Sequence, residues 1–227
     1  MPKRGKVSAM ENRRQFIKKI MTLFSGLTTL SGILPPFLKS VQAKGLNILP
    51  ANGYMDNNSL KHVSQNQLAS RRIKVTPLKS FGVMGATDIK ISEDEWNLEI
   101  DNKSGRLIKY SYDEILKFPV IEKHLILTCP GFFQNHGLWK GFSIRSILEE
   151  NGLLEGVNEV EISGMNGRKN KSYKFPLKSV LNDHTFLAYE VNRETLPVRN
   201  GFPLRVVAQN YSGGHWIKYV YKITPIK

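Results

Sequence analysis

The stretch that decides the reading is LILTCPGFFQNHGLWKGF, residues 125–142, which holds the single cysteine of the 227-residue chain, Cys129. Leu125-Ile126-Leu127-Thr128 is a short apolar, β-branched run, the pattern of a buried strand. Pro130-Gly131 breaks it, so the thiol is expected where a strand turns out into a loop. Phe132, Phe133, Asn135, His136 and Trp139 follow within ten positions. A thiol at a strand end, walled by rings and a few polar groups, can bind a soft metal. It also suits a small buried hydrophobe, as free cysteines often are. Asn135, His136 and Trp139 are candidates to line the pocket, with Trp139 better suited to the core.

Around this stretch the composition allows a sizeable core, with 41% hydrophobic and 10% aromatic residues. The formal charge of +14 is uneven. Residues 1–43 carry Lys3, Arg4, Lys6, Arg13, Arg14, Lys18, Lys19 and Lys39 against Glu11 alone, half of the excess. The remainder suits an anionic ligand, an acidic partner or a membrane surface. No run of five basic residues and no aromatic-rich RNA motif occurs, which argues against nucleic acid. One cysteine excludes an internal disulfide.

The N-terminus reads as an address. Asn12-Arg13-Arg14-Gln15-Phe16-Ile17-Lys18-Lys19 precedes an apolar segment rich in small residues, Ile20 to Leu38, and then Lys39-Ser40-Val41-Gln42-Ala43. Basic, apolar and cleavable regions in that order are a secretory signal. Arg13-Arg14-Gln-Phe-Ile-Lys resembles the twin-arginine signal, which exports folded proteins, often with a cofactor already inserted. The reading is an exported, periplasmic protein cleaved near Ala43, or held to the outer face of the membrane if the segment is kept. Residues 44–75, rich in Asn, Ser and Gln, read as a polar linker.

A folded domain is expected over 76–227. Strands are predicted at Trp96–Ile100, Leu107–Tyr110, Val160–Ile162, Phe186–Val191, Leu204–Ala208 and Trp216–Val220, besides the cysteine strand. Gly164–Lys171 reads as a hairpin-like loop. Short helices are predicted at Tyr112–Lys117 behind a Ser111 cap, at Ser143–Asn151 and at Leu177–Leu181. Short strands, few helices and no βαβ alternation give a strand-rich α+β domain.

In this order the elements resemble the molybdopterin-binding domain of the sulfite oxidase family, including its periplasmic methionine sulfoxide reductase branch. The likeness runs from about Thr76 to Ile223. Its carriers are Trp96-Asn97-Leu98-Glu99-Ile100, Tyr112-Asp113-Glu114-Ile115-Leu116, Thr128-Cys129 before Trp139-x-Gly141, and Leu187-Ala188-Tyr189-Glu190-Val191-Asn192. Asn200-Gly201-Phe202-Pro203-Leu204-Arg205 and Gly213 with Ile217-Lys218-Tyr219 complete them. The resemblance implies a mononuclear molybdenum–molybdopterin cofactor with Cys129 as the metal's protein ligand. It also implies oxygen-atom transfer to or from a small molecule. Arg205 and Lys218 stand at the family's phosphate-holding positions. Asn200, Gly213, Gly214, His215 and Asn135 are the further candidates for cofactor binding, His215 being equally suited to packing.

The chain departs from the family's pattern in several places. No arginine-rich run follows the cysteine, Met84 stands where an arginine is expected, and Asn200 where a histidine is. Losing charge-assisted clamps should cost on the order of several kcal/mol of anion binding. A neutral or bulky substrate is therefore expected rather than sulfite. No C-terminal dimerisation domain follows, so a monomer is expected, and a haem or membrane redox partner would complete the electron path. A catalytically inactive binding module on the same fold is the other reading that these departures allow.

Overall fold

The computed structural model describes residues 73–102 and 106–227. The signal reading over 1–43, most of the linker and the tip of the turn after Asp101 lie outside the described residues. Burial already reaches Ile73, 6% exposed, three positions before the expected domain edge.

Ten strands form two sheets. The first, in the order β2-β1-β10-β5-β6, joins Leu107–Ser111, Asn97–Asp101, Val220–Ile226, Glu159–Asn166 and Lys169–Pro176. The second, β3-β4-β7-β8, joins Val120–Cys129, Phe133–Phe142, Thr185–Val191 and Glu194–Thr195, with β9 (Arg205–Ala208) on the other side of β7. β1 and β10 run parallel through Glu99↔Lys222 and Ile100↔Ile223, and the other pairs are antiparallel. The domain is thus a strand-rich α+β fold with a mixed sheet, as expected.

Alternation explains the first sheet: Leu98 and Ile100, Val160 and Ile162, and Phe175 turn to the core while their neighbours stay half-exposed or exposed. β7 and β9 are buried on both faces, which is why Phe186-Leu187-Ala188 and Arg205-Val206-Val207 read as unbroken runs. One apolar cluster joins residues of both sheets, with Leu98, Ile223, Phe142, Leu187 and Val206 among them.

Among the described residues, three short α-helices close the ends. α1 (Tyr112–Ile115) opens on a capping box, in which the Glu114 amide donates to Ser111 Oγ and the Ser111 amide donates to the Glu114 carboxylate. α2 is Ile144–Glu150, and α3 spans Leu177–Leu181 as predicted.

Three expectations are corrected. Phe133–Phe142 is a strand that was not expected, and its Asn135 and His136 do not line the cavity as they were expected to. It pairs with β3 in an unbroken register from Cys129↔Phe133 to Val120↔Phe142. Its Asn, His and Gly residues hid it from a propensity reading, but the full-length ladder to β3 and the β7 ladder over Trp139–Phe142 override propensity. Gly141 is required there, because a Cβ would lie 1.8 Å from the Leu187 carbonyl oxygen of β7. The expected loop Gly164–Lys171 is mostly ladder, and only Gly167 and Arg168 turn between β5 and β6. The last strand begins at Val220, where Trp216–Val220 was expected. Residues 216–219 run irregularly, and Tyr219 sits at φ 53°.

Candidate active site

Leu125, Leu127 and Cys129 share one face of β3 by the period of two. The two leucines are buried, and the last position of the strand opens on a cavity of about 260 Å³. Cys129 Sγ faces Met84 Sδ at 3.0 Å. The three-residue connection after it turns at Gly131, φ 80°, and throws Phe132 out to 71% exposure. Phe133, opposite Cys129 in the ladder, lines the cavity instead.

The segment 82–86 crosses that wall. Asn135 holds it with two hydrogen bonds: its amide donates to Gly82 O at 2.8 Å and accepts from the Gly82 amide at 3.0 Å. Gly82 lies so close to Phe133 that a Cβ would come within 2.2 Å of the ring. Asn135 therefore does not line the cavity. It positions Met84, 48% exposed, over the thiol.

The opposite wall is the turn Gly213–His215 and the segment after it. Gly213 and Gly214 line the cavity. A side chain at Gly213 would meet the Thr128 carbonyl oxygen and a Leu127 methyl at 3.3 Å, so its bareness lets the turn approach the cysteine strand. His215 faces away from the cavity. Its Nδ1 lies 3.2 Å from Ser212 Oγ, and its ring packs edge-on against Tyr173 at 4.3 Å and beside Tyr211.

Two cations lie deep in the same cavity, brought together from sequence positions thirteen apart. Arg205 is 5% exposed, donates through Nη1 to Asn200 O at 2.9 Å, and lies 5.7 Å from the Trp139 ring. Its Nε has no partner among the described residues. Burial pulls its pKa down to about 10. Lys218, 9% exposed, donates to the carbonyls of Ala86 and, at 3.3 Å, Arg199. Burial first, then Arg205, Arg199 and Lys171, lower its pKa to about 8. No carboxylate lines this cavity among the described residues. Asn200 is 1% exposed, and neither its amide nitrogen nor its oxygen finds a partner.

Sequence reasoning missed Gly85, Trp216 and Ile217 on the wall, and three groups from a distant hairpin. Lys171, Asn166 and Met165 come from the β5–β6 hairpin. The long acid-free stretch after Glu161 was the available signal. His136 and Trp139 are fully buried away from the cavity. Trp139 donates to Leu125 O at 3.3 Å. His136 bridges His124 Nδ1, at 3.1 Å, and Lys74 O, at 3.2 Å.

The family model for an oxidoreductase molybdopterin-binding domain matches residues 84–227, more than half of the chain. The oxidoreductase YuiH of Bacillus subtilis (strain 168) is 29% identical, over 56% of this chain and 65% of that protein. Nitrate reductase [NADH] 1 of Arabidopsis thaliana is 24% identical over 59% of this chain but only 18% of its own length. The chain thus spans less than two thirds of these relatives. Among solved structures, the sulfane dehydrogenase SoxCD from Paracoccus pantotrophus shares the fold, with a TM-score of 0.57 at 17% identity, covering 86% of this chain and 60% of that one.

Proposed function

We propose, for a chain that belongs to the oxidoreductase molybdopterin-binding domain family, that Cys129 is the protein ligand of a molybdenum cofactor in an exported oxygen-atom-transfer enzyme. The observation that carries this is one cavity shared by the lone thiol, two buried cations without carboxylates, and a bare glycine turn. When bound, the cofactor supplies a metal that exchanges an oxygen atom with substrate while moving between states two electrons apart.

The residues present fit such a group. A thiolate is a soft anionic donor suited to a transition metal. Arg205 and Lys218 offer charge-assisted donors to a phosphate, and the unused Nε of Arg205 is a donor in waiting. A buried polar group without a partner costs about 1–3 kcal/mol, and a ligand that satisfies it recovers that. Asn200 is buried but not on the cavity wall, and its backbone carbonyl oxygen accepts from Arg205 Nη1, so it positions that guanidinium. Asn135 and His215 act as positioning residues, the first through Gly82 and the second through the turn at Ser212.

Substrate approaches past Met84 and Phe133, an apolar mouth. Lys171 stands on the cavity wall, and its field reaches Lys218. A neutral or bulky substrate fits this mouth better than sulfite. Export rests on the reading of Arg13-Arg14 and the apolar segment that follows.

Elemental analysis of cofactor-replete protein tests the assignment. One molybdenum per chain is expected in the native protein, and loss of most of it in Cys129→Ala. Metal retained unchanged in that variant removes Cys129 as ligand. Fractionation of an Arg13→Lys/Arg14→Lys variant tests export, with retention in the cytoplasm expected.

A further inference from the structure

The β5–β6 hairpin carries a run of exposed cations from Arg168 to Lys174. From Ile162 to Asn182 the chain holds Arg168, Lys169, Lys171, Lys174 and Lys178 and no Asp or Glu. Residues 166–174 are exposed without a break. β6 is the outer strand of its sheet. Lysines on an edge strand discourage association with other strands, but that role does not call for Arg168 and Lys169 at the turn.

The hairpin is held in one place. Eight residue pairs run from Glu159↔Pro176 to Asn166↔Lys169, and Asn166 Oδ1 accepts from the Ala86 amide at 3.3 Å. Because Met165, Asn166 and Lys171 line the cavity, the basic tip stands beside its mouth. An eight-residue strand is about 27 Å long, the scale of a protein contact rather than of a small anion.

We propose that this hairpin is the docking surface for an acidic electron-carrier protein, set so that the carrier's redox centre faces the cavity mouth. The proposal rests on the molybdenum reading above. Removing an oxygen atom from a substrate consumes two electrons and two protons and yields the reduced substrate and water. The reverse reaction releases them. The docked carrier supplies or collects the electrons in two single passes, the protons come from or go to water, and docking makes no covalent bond. Cations fixed on a rigid ribbon beside the site steer an oppositely charged protein into a productive pose. A lipid surface suits the hairpin less, because Tyr173 is the only aromatic or aliphatic side chain from 166 to 174 that could enter a headgroup layer.

The test compares the full-length, cofactor-loaded protein with R168E/K169E/K174E, none of which lines the cavity. Stopped-flow mixing with reduced flavodoxin, an acidic carrier, and with reduced methyl viologen, a small cation, reads electron entry. Binding of labelled poly-L-glutamate and of phosphatidylglycerol vesicles reads the surface itself. The variant should accept electrons from flavodoxin at least about tenfold more slowly and lose polyglutamate affinity by a similar factor. Its molybdenum content and its rate with methyl viologen should not change. Equal flavodoxin rates and equal polyglutamate affinities in the two proteins overturn the proposal. So does a loss confined to vesicles, which makes the hairpin a membrane contact. The neutral variant R168Q/K169Q/K174Q repeats the comparison if the reversed one does not fold. Should the protein prove free of molybdenum, the cofactor reading falls, and the polyglutamate comparison still decides the surface.

Discussion

Positive charge is treated in opposite ways on the sheet surfaces and in the cavity. Three cations along the strands meet a carboxylate: Lys109 with Glu99 at 3.1 Å, Lys140 with Glu190 at 2.8 Å, Lys222 with Asp101 at 3.0 Å. These pairs are half-exposed or exposed. In the cavity, Arg205 and Lys218 are buried and meet only carbonyl oxygens, an aromatic face and each other's field. Burying an unmatched charge is costly. A fold that tolerates it at one place and avoids it elsewhere is holding positive potential for an anion to come.

The buried histidine sharpens the contrast. His136 donates from Nδ1 to Lys74 O, so its Nε2 accepts from His124. Burial lowers its pKa to about 4, with the field of His124 adding to the shift against the Lys74 hydrogen bond. It meets burial by giving up its proton, which an arginine cannot do at neutral pH.

The largest effect expected follows from this. A folded pKa below the unfolded value near 6.5 means that the unfolded chain takes up the proton first as pH falls. Stability is complete above about pH 6.5 and declines down to about pH 4, by about 3 kcal/mol from this group. Denaturant midpoints measured across that window should show the slope, and His136→Leu should flatten it. A variant that keeps the full slope would place the titration elsewhere.

Removing a cavity cation should separate binding from stability. Arg205→Met and Lys218→Met are each expected to weaken cofactor retention by about tenfold or more, as loss of a charge-assisted hydrogen bond does. Molybdenum per chain after dialysis reads this. Lys218 has a folded pKa below its ordinary value, so charging it opposes folding: the penalty is complete below about pH 8 and fades as pH rises toward 10.5. Cofactor-free Lys218→Met should therefore melt no lower than the cofactor-free parent at pH 7, and higher by a few degrees if screening is weak. A lower melting temperature would mean that the bonds to Ala86 and Arg199 outweigh the buried charge.

The smallest effect belongs to the ladders. Lys140→Met should cost less than about 1 kcal/mol, and added salt should shrink the difference. Urea midpoints at low and high ionic strength check it. A loss as large as that at His136 would erase the distinction between the two regions.

Much of the fold was legible along the chain because its signals are local. Ser111 announced a capped helix, and Leu125–Thr128 a strand ending at Cys129. β4 was not legible, since Asn135, His136 and Gly137 have no strand propensity and owe their conformation to β3 on one side and, at His136, to Thr76 on the other. Nor was the end of the ladder at Val220, because residues 216–219 leave extended geometry to carry Lys218 into the cavity. Asn135 and His215 show the same limit at the site. Their residue types suit a ligand, yet nearby backbone and rings engage both.

Local pattern by itself determined that this is a strand-rich α+β domain with a thiol at a strand end and an arginine and a lysine thirteen positions apart. Burial, pairing and charge placement were decided only in three dimensions. There Met84 lies over Cys129, Lys171 reaches the cavity from a distant hairpin, and both deep cations are left without carboxylates. The physical reason is range. Propensity, capping and alternation act over a few residues, whereas the field at a buried cation sums over every group the fold brings near it.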